Sequence, residues 1–346
     1  MRIEPLSMAA QTAFAQVAEA TLAAEHLRTV GDLPGAFTSK AVKGHKYWYY
    51  QFTEPSGARR QIFVGPDNEA VNRLVSKASL ATNQNVLALT RSALALGCAA
   101  IHPRHFKVLH RLGDYGFFRA GGVLIGTHAF IAYSNMLGIQ WSGADASRTQ
   151  DIDFAHAGKR ISLALASDFK VQTHEAIQSL EMGFLPITGM AGKTGGAYLI
   201  PNEKEFRLDF LTTVGRAGEV PYEHPALHVT LQPLKFMEFS LENVQQTALL
   251  SSKGAILVNV PHPARYALHK LIVAGEREGP FAAKAGKDIM QSGLLLLALR
   301  AEKPWEVEEA WRDLKGRGTG WTSRAQHGLA ILDAKFPSER FGEWLG

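Results

Sequence analysis

Two aspartates at alternate positions, Asp151 and Asp153, are the residues whose types and spacing most directly indicate chemistry. In a β-strand, side chains two residues apart point to the same face, about 6–7 Å from each other. The apolar neighbours Ile152 and Phe154 would then enter the core behind them. Such a carboxylate pair suits a hard cation like Mg²⁺, which offsets the repulsion between the two acids. The pattern predicts either a metal site or a solvated strand end.

The elements before this pair favour the metal interpretation. The apolar tripeptide Val123-Leu124-Ile125 predicts a buried strand that ends in a tight turn at Gly126-Thr127. Glycine allows the backbone to turn sharply there and to approach a ligand closely. Apolar residues at helical spacing then predict a helix from His128 to Leu137.

The segments V-L-I-G-T-H-A-F and R-T-Q-D-I-D-F together resemble the signature of the nucleotidyltransferase superfamily, which has the DNA polymerase beta-like fold. They are most similar to the bacterial branch that includes abortive-infection toxin-type nucleotidyltransferases. The chain departs from this pattern at Thr127, where Gly or Ser is usual, and in the long predicted loop 138–150. We therefore expect an α+β fold with a mixed β-sheet nucleotidyltransferase core and helices on one side. An N-terminal helix and β-hairpin module and a helical C-terminal region complete the expected architecture.

The superfamily carries a third carboxylate on a neighbouring strand, and the resemblance implies Asp209 for this role. The flanking Leu208 and Phe210 would face the opposite side of that strand. Without the resemblance, a strand with one exposed acid would be the better description of the segment.

The resemblance implies a metal-dependent enzyme that moves a nucleoside monophosphate from an NTP to a hydroxyl group and releases pyrophosphate. Mg²⁺ or Mn²⁺ would be the cofactor, held by Asp151, Asp153 and Asp209, which are also the implied catalytic residues. Gly126 and Thr127 would hold the phosphates. The acceptor would be RNA, a protein or a small molecule.

The C-terminal helices add further residues that match the toxin-type layout, namely Tyr266, His269, Lys270, Lys287 and Asp288. Lys270 would neutralise part of the triphosphate charge. The alternative is a surface helix with ordinary lysines. Two other functions stay open: a catalytically silent module that binds nucleic acid or protein, and a toxin neutralised by an antitoxin partner.

Composition places this site in a folded, non-membrane protein. The 46% hydrophobic and 20% charged content is that of a globular chain, and 346 residues suffice for two or three domains. The chain has a single cysteine, Cys98, which excludes an internal disulfide and fits a reducing cytoplasm. We expect Cys98 to be a small residue of the core. The apolar runs are too short to span a bilayer. A net charge of +5 is compatible with a phosphate-rich partner.

Three regions are predicted: an N-terminal module at 1–100, a catalytic core at 101–215, and C-terminal strands and helices at 216–346. In the first region, 43–52 and 60–67 predict a β-hairpin after a helix capped by Ser7. Its aromatic and basic residues are typical of a nucleic-acid surface or of a packed hairpin with a cationic rim. Further predicted helices cover 68–96, 106–118, 170–183, 263–277, 282–300, 304–314 and 322–335, and further strands cover 184–186, 198–200, 206–211, 227–231, 235–239 and 256–260.

Thirteen histidines raise the question of a metal site of another kind. His102, His105 and His110 have no nearby cysteine to complete a zinc set, and they would not share one helix face. Pro103 predicts a helix start at His102. His128 follows the Gly-Thr turn, where it would contact substrate or belong to the core.

Overall fold

A computed structural model describes residues 3–26, 35–53, 59–80, 82–141, 147–157, 171–188, 194–214, 218–276 and 282–346. Within these ranges the chain is a mixed α/β protein with mixed sheets, as the sequence predicts. The strands are β1 (Ile3–Pro5), β2 (Gly35–Val42), β3 (His45–Thr53), β4 (Arg59–Pro66), β5 (Val123–Ile125), β6 (Ile139–Trp141), β7 (Ile152–His156), β8 (Leu185–Thr188), β9 (Thr194–Ile200), β10 (Glu203–Thr213), β11 (Tyr222–His224), β12 (Val229–Leu234), β13 (Val244–Ser251) and β14 (Gly254–Pro261).

The helices alternate with these strands in the middle of the chain and follow one another at its end. They are α1 (Met8–His26), α2 (Glu69–Leu80), α3 (Thr82–Ala95), α4 (Pro103–Asp114), α5 (Gly126–Met136), α6 (Thr173–Gln178), α7 (Met237–Leu241), α8 (Pro263–Glu276), α9 (Ala282–Glu302), α10 (Pro304–Gly316), α11 (Thr319–Lys335) and α12 (Phe341–Leu345). Within the described ranges, no helix is both long enough and apolar enough to cross a membrane.

The central sheet has the order β11-β12-β10-β7-β5. Strand β10 runs parallel to β7 on one side. On its other side β10 pairs first with β9, antiparallel, and then with β12, parallel. Strand β5 closes the path by pairing antiparallel with β7. The two strands that carry the predicted acids, β7 and β10, are therefore neighbours in the middle of the sheet.

Aromatic side chains fill the space behind these two strands. Phe154 of β7 and Phe210 of β10 are fully buried and stack with their ring centroids 5.0 Å apart. Phe117 meets both rings edge-on, at 5.3 and 5.8 Å. Alternation along each strand sends these rings inward and leaves the acids on the other face. The aromatic packing thus supports the strand segment from which the aspartates project.

The N-terminal region holds a three-stranded antiparallel sheet of order β2-β3-β4. The predicted hairpin is confirmed as β3 and β4, whereas strand β2 was not predicted. Residues 54–58, between β3 and β4, lie outside the described residues. Helix α1 begins where Ser7 predicts it, and the Ser7 hydroxyl accepts from the Ala10 amide at 3.2 Å. Helix α1 packs with α3 and the β13–β14 hairpin around the buried Cys98. The three-domain division stays a prediction.

Several predicted elements need correction. The strand predicted at 235–239 is wrong: Phe236 has a positive φ of 64°, and α7 begins directly after it. The next strand, β13, was not predicted. The helix predicted at 170–183 is shorter, at Thr173–Gln178, and the one predicted at 68–96 is described as the separate helices α2 and α3. The predicted loop 138–150 contains the short strand β6. The C-terminal helices α8 to α11 are close to their predicted ranges.

Candidate active site

The pairing of β7 with β10 sets Asp153 directly beside Asp209. In-register residues on neighbouring strands point to the same face, with the strands about 4.8 Å apart. Asp151 was predicted inside the strand, but it lies one residue before β7. Ile152, between the two acids, is fully buried, as predicted. We call these three residues, Asp151, Asp153 and Asp209, the acidic edge. Backbone hydrogen bonds between β7 and β10 therefore fix the separation between Asp153 and Asp209.

Gly126 lies against the acidic edge from the other side of β7. Its neighbour Ile125 is the register partner of Asp153. Gly126 has a φ of +63°, and a Cβ built on it would overlap the Asp153 carboxylate. Glycine is thus required twice, for its backbone conformation and for the space it leaves. The helix α5 starts at this residue, so its positive N-terminal end adjoins the acid.

Two C-terminal helices hold the start of α5 in place. The Tyr266 hydroxyl of α8 lies 2.9 Å from the Gly126 carbonyl, to which it can donate, and 3.0 Å from Gln291 Oε1. Gln291 of α9 donates through Nε2 to the Thr127 hydroxyl at 3.3 Å. Thr127 and Gln291 are buried. The Gly-Thr turn is therefore braced by side chains from both helices, while the predicted phosphate contact of Thr127 stays a prediction.

Cationic side chains from the same two helices surround the acidic edge. Lys270 Nζ of α8 donates to Asp288 Oδ1 at 2.6 Å and lies 5.2 Å from the centre of the Tyr266 ring. Lys287 Nζ donates to the Arg148 carbonyl, in the segment that leads into Asp151. Burial and the neighbouring Lys270 lower the pKa of Lys287. The positive charge predicted at Lys270 is thus present beside the acids, although its ammonium is shared with Asp288.

Arg207 is a member of the site that the sequence analysis missed. It stands two residues before Asp209 on β10, and its guanidinium donates to Asp209 Oδ1 at 2.7 Å. The Arg207 side chain is 43% exposed, so the ion pair lies at the edge of the site. The period of two in a strand already placed Arg207 on the face of Asp209, and this was the signal available. No comparable signal pointed to Gln291.

The surroundings of the acidic edge disfavour the charged form of its three carboxylates. Burial and the neighbouring Asp209 carboxylate raise the pKa of Asp153 to about 6. Burial also raises the pKa of Asp151, against the pull of Lys284, and that of Asp209, against the pull of Arg207. Carboxylates in this situation gain most from a bound cation.

The donor chemistry of the acidic edge fits a hard divalent cation, because all three side chains offer carboxylate oxygens. As they stand, however, no three His, Cys, Asp or Glu side chains in the described ranges are placed to hold a metal ion together. The Arg207 ion pair occupies one oxygen of Asp209. Asp209 would have to exchange Arg207 for the metal.

His128, the third residue of α5, lies against His105 of α4. It is buried, and its Nε2 lies 3.0 Å from His105 Nδ1. Burial lowers the pKa of His128 to about 3 and that of His105 to about 4, so both rings are neutral at pH 7. His102 caps α4, as Pro103 predicts. A cleft of 440 Å³ is lined by these residues and by the segment before Asp151: Ala100, Ile101, His102, His105, His128, Ile131, Ser147, Arg148, Thr149 and Gln150.

Comparison with known proteins agrees with the sequence resemblance. Residues 104–315, more than half of the chain, match a family model described as Nucleotidyltransferase. No curated protein matches the chain. A crystal structure of an antigenic nucleotidyltransferase-like protein from Paracoccidioides brasiliensis is similar over 69% of this chain and 91% of that one, with 14% identity and a TM-score of 0.33. At these values the similarity carries no argument about the site.

Proposed function

The chain belongs to this nucleotidyltransferase family, and we propose that it transfers a nucleoside monophosphate from an NTP to a hydroxyl acceptor, with release of pyrophosphate. One observation carries the proposal: Asp153 and Asp209 lie in register on parallel strands. Gly126 lies beside them at a position where a side chain would overlap the Asp153 carboxylate. Two adjacent, partly buried acids on a core strand pair repel each other and add nothing to its stability. Binding of a cation together with a phosphorylated ligand explains that arrangement.

Asp151, Asp153 and Asp209 are the residues that would hold Mg²⁺ or Mn²⁺. When bound, such ions neutralise charge on the transferred phosphoryl group and on the attacking oxygen. The raised pKa of Asp153 fits this role, because the ion would favour its charged form. In the same state Arg207 would be released from Asp209 and free to meet an anionic substrate.

The remaining residues of the site would bind and orient the NTP. Gly126 and Thr127 present a helix N-terminus, where backbone N–H groups favour phosphate oxygens. Lys270 and Lys287 supply positive charge from α8 and α9, and both act electrostatically on Asp153 or on its neighbours. Catalysis of phosphoryl transfer depends mostly on the position of the substrate and on the charges around it. These residues would therefore bind the NTP and orient its phosphates.

A catalytically silent binding module is the second candidate, and the Arg207–Asp209 ion pair favours it. A module without metal would satisfy its third acid in this way. The acceptor class and the antitoxin partner stay predictions from the sequence resemblance, as does the abortive-infection branch.

The test is an incubation of the protein with each α-labelled NTP in turn, Mg²⁺ or Mn²⁺, and total cellular RNA and protein. We expect the label to appear in one acceptor class with one preferred NTP and to vanish with Asp153→Asn. Asp67→Asn is the matched control, because Asp67 lies in the N-terminal region and pairs with Trp48. Absence of labelling by wild-type protein, together with NTP binding that survives Asp209→Asn, would favour the silent module.

A further inference from the structure

The N-terminal sheet carries aromatic side chains on a face that the described part of the protein leaves open. On this face Tyr49 is the register partner of Phe63, with ring centroids 5.6 Å apart, and Tyr47 lies 6.0 Å from the same phenylalanine. Phe63 is 57% exposed. We call this surface the aromatic face, with the members Lys40, Tyr47, Tyr49, Gln51, Gln61 and Phe63.

Polar side chains surround these rings on the same face. Lys40 Nζ lies 5.3 Å from the centre of the Tyr49 ring and donates to Gln61 Oε1 at 2.6 Å. Gln61 in turn donates to Gln51 Oε1 at 3.0 Å. The aromatic face therefore combines π surfaces, a cation and amide groups across its three strands.

The opposite face of the sheet is used differently. Tyr50 is almost fully buried and meets Phe37 edge-on at 5.0 Å. Helix α2 packs against β4. Lys46 lies over Trp48 there, and Trp48 donates to Asp67. Tyr50 thus contributes to packing on that face, whereas on the aromatic face Phe63 is exposed and Tyr47 and Tyr49 are half-buried.

Charge distinguishes the occupants that the aromatic face could accept. Over 35–53 and 59–66 the sequence has five Lys or Arg residues and no Asp or Glu. By strand alternation Lys40 and Arg59 lie on the aromatic face, whereas Lys46 lies on the opposite face with Trp48. A second protein would usually bring mixed charges to such a surface, whereas a nucleic acid brings only phosphate. Aromatic side chains beside cations bind unpaired bases by stacking, and a duplex would hide its bases from them.

We propose that the aromatic face binds single-stranded RNA. Tyr47, Tyr49 and Phe63 stack on unpaired bases, and Lys40 and Arg59 meet the phosphates. The amides of Gln51 and Gln61 lie within the same face and offer hydrogen bonds to the 2′-hydroxyl, which DNA lacks. This binding requires neither NTP nor metal and therefore stands apart from the proposed transfer reaction.

The experiment measures fluorescence anisotropy of labelled 12-nucleotide single-stranded RNAs with the full chain, without NTP or divalent metal. We expect Tyr49→Ser/Phe63→Ser to weaken binding by tenfold or more, since each stacked base contributes about 1–3 kcal/mol. Lys40→Gln should weaken binding and lower the salt dependence by about 0.7 in log–log slope, the value for one phosphate on a single strand.

Matched controls separate the aromatic face from general effects. Trp305→Ser removes an aromatic side chain that is 60% exposed elsewhere, and Lys253→Gln removes a cation from the β13–β14 turn. Neither should alter RNA binding. Circular dichroism and urea unfolding check that each variant is folded.

Three results would overturn the proposal. One is unchanged RNA affinity in a folded Tyr49→Ser/Phe63→Ser variant. Another is binding of duplex RNA, or of DNA of the same sequence, at least as tight as that of the single-stranded RNA. The third is concentration-dependent dimerisation that disappears in the same double variant, because a second copy would then cover the face. Loss of RNA binding with intact nucleotidyl transfer to a small acceptor would leave the proposed reaction untouched.

Discussion

The central sheet and the N-terminal sheet both expose functional groups on one face, but they divide their aromatic residues in opposite ways. In the central sheet, Phe154 and Phe210 are fully buried behind Asp153 and Asp209. In the N-terminal sheet, Phe63 shares the open face with the polar groups. A packed backing holds carboxylates at a fixed separation, which suits chemistry on small charged groups. Exposed rings offer adaptable contact area, which suits a flexible chain.

The largest difference should appear in activity. Asp153→Asn should lower nucleotidyl transfer about 10³-fold, equivalent to about 4 kcal/mol in the activation barrier. The same change should leave the free energy of unfolding equal or higher, because it removes a negative charge next to Asp209. Labelled-NTP transfer and urea unfolding measure the two effects. Transfer at the wild-type rate would remove the acidic edge from the reaction.

Packing at the acidic edge is tested by Gly126→Ala. The new Cβ would sit at φ +63° and overlap the Asp153 carboxylate, so we expect a loss of about 3 kcal/mol in unfolding free energy. Gly183→Ala is the matched control, since Gly183 has a φ of +79° with no atom within 4 Å of the added carbon. It should lose only about 1 kcal/mol for backbone strain. Equal losses would mean that the space beside Asp153 is not tight.

A pH effect should come from the histidines behind the turn. The folded pKa of His128, about 3, lies below the unfolded value, so lowering the pH favours the unfolded, protonated state. The stability that neutral His128 contributes is complete above about pH 6.5 and decreases as the pH falls toward the folded pKa. Between pH 7 and pH 5 the loss is about 2 kcal/mol for one such histidine.

His128→Gln should reduce this loss, because glutamine does not titrate and can still bond to His105. Asp153 contributes with the opposite sign, since its raised pKa adds stability as the pH falls below about 6. Urea unfolding of both proteins at pH 7 and pH 5 isolates the histidine as the difference between them. Identical pH dependence would show that His128 has the same pKa in the folded and unfolded states.

The smallest effect is expected at the aromatic face. Phe63→Ser should change the unfolding free energy by less than about 0.5 kcal/mol, as is usual for exposed positions. Phe154→Ala in the central sheet should cost about 3–5 kcal/mol. Thermal or urea unfolding compares the two. A loss above about 1.5 kcal/mol for Phe63→Ser would mean that this side chain is covered in the folded protein.

The sequence predicted the local elements of the site because they rest on short periodicities. Alternation around Asp209 and the apolar tripeptide before Gly126 both indicate strands, and both strands are present. A hairpin would be the shortest connection from the strand of the paired acids to that of Asp209. The actual connection is longer, since β10 runs parallel to β7 and pairs with β9 as well. Pattern within a strand does not specify its neighbour, because pairing is decided by contacts distant in the chain.

The failures have equally specific causes. The strand predicted at 235–239 contains the apolar residues Phe236, Met237 and Phe239, but Phe236 adopts a left-handed conformation that a regular strand does not have. Strand β2 was missed because Gly35–Val42 has few of the branched or aromatic residues that are typical of strands. Its partner strand β3 is rich in aromatic residues. Gln291 carries no local signal at all, since its role comes only from packing against Thr127.

The bond between Gln291 and Thr127 joins residues 164 positions apart. During synthesis, the two acid-bearing strands leave the ribosome long before α9 does. The turn at Gly126 therefore forms its contact with Gln291 only later. A nascent chain that carries all three aspartates is still without Gln291 and without the lysines of α9. The completed site therefore forms only after α9 has been made.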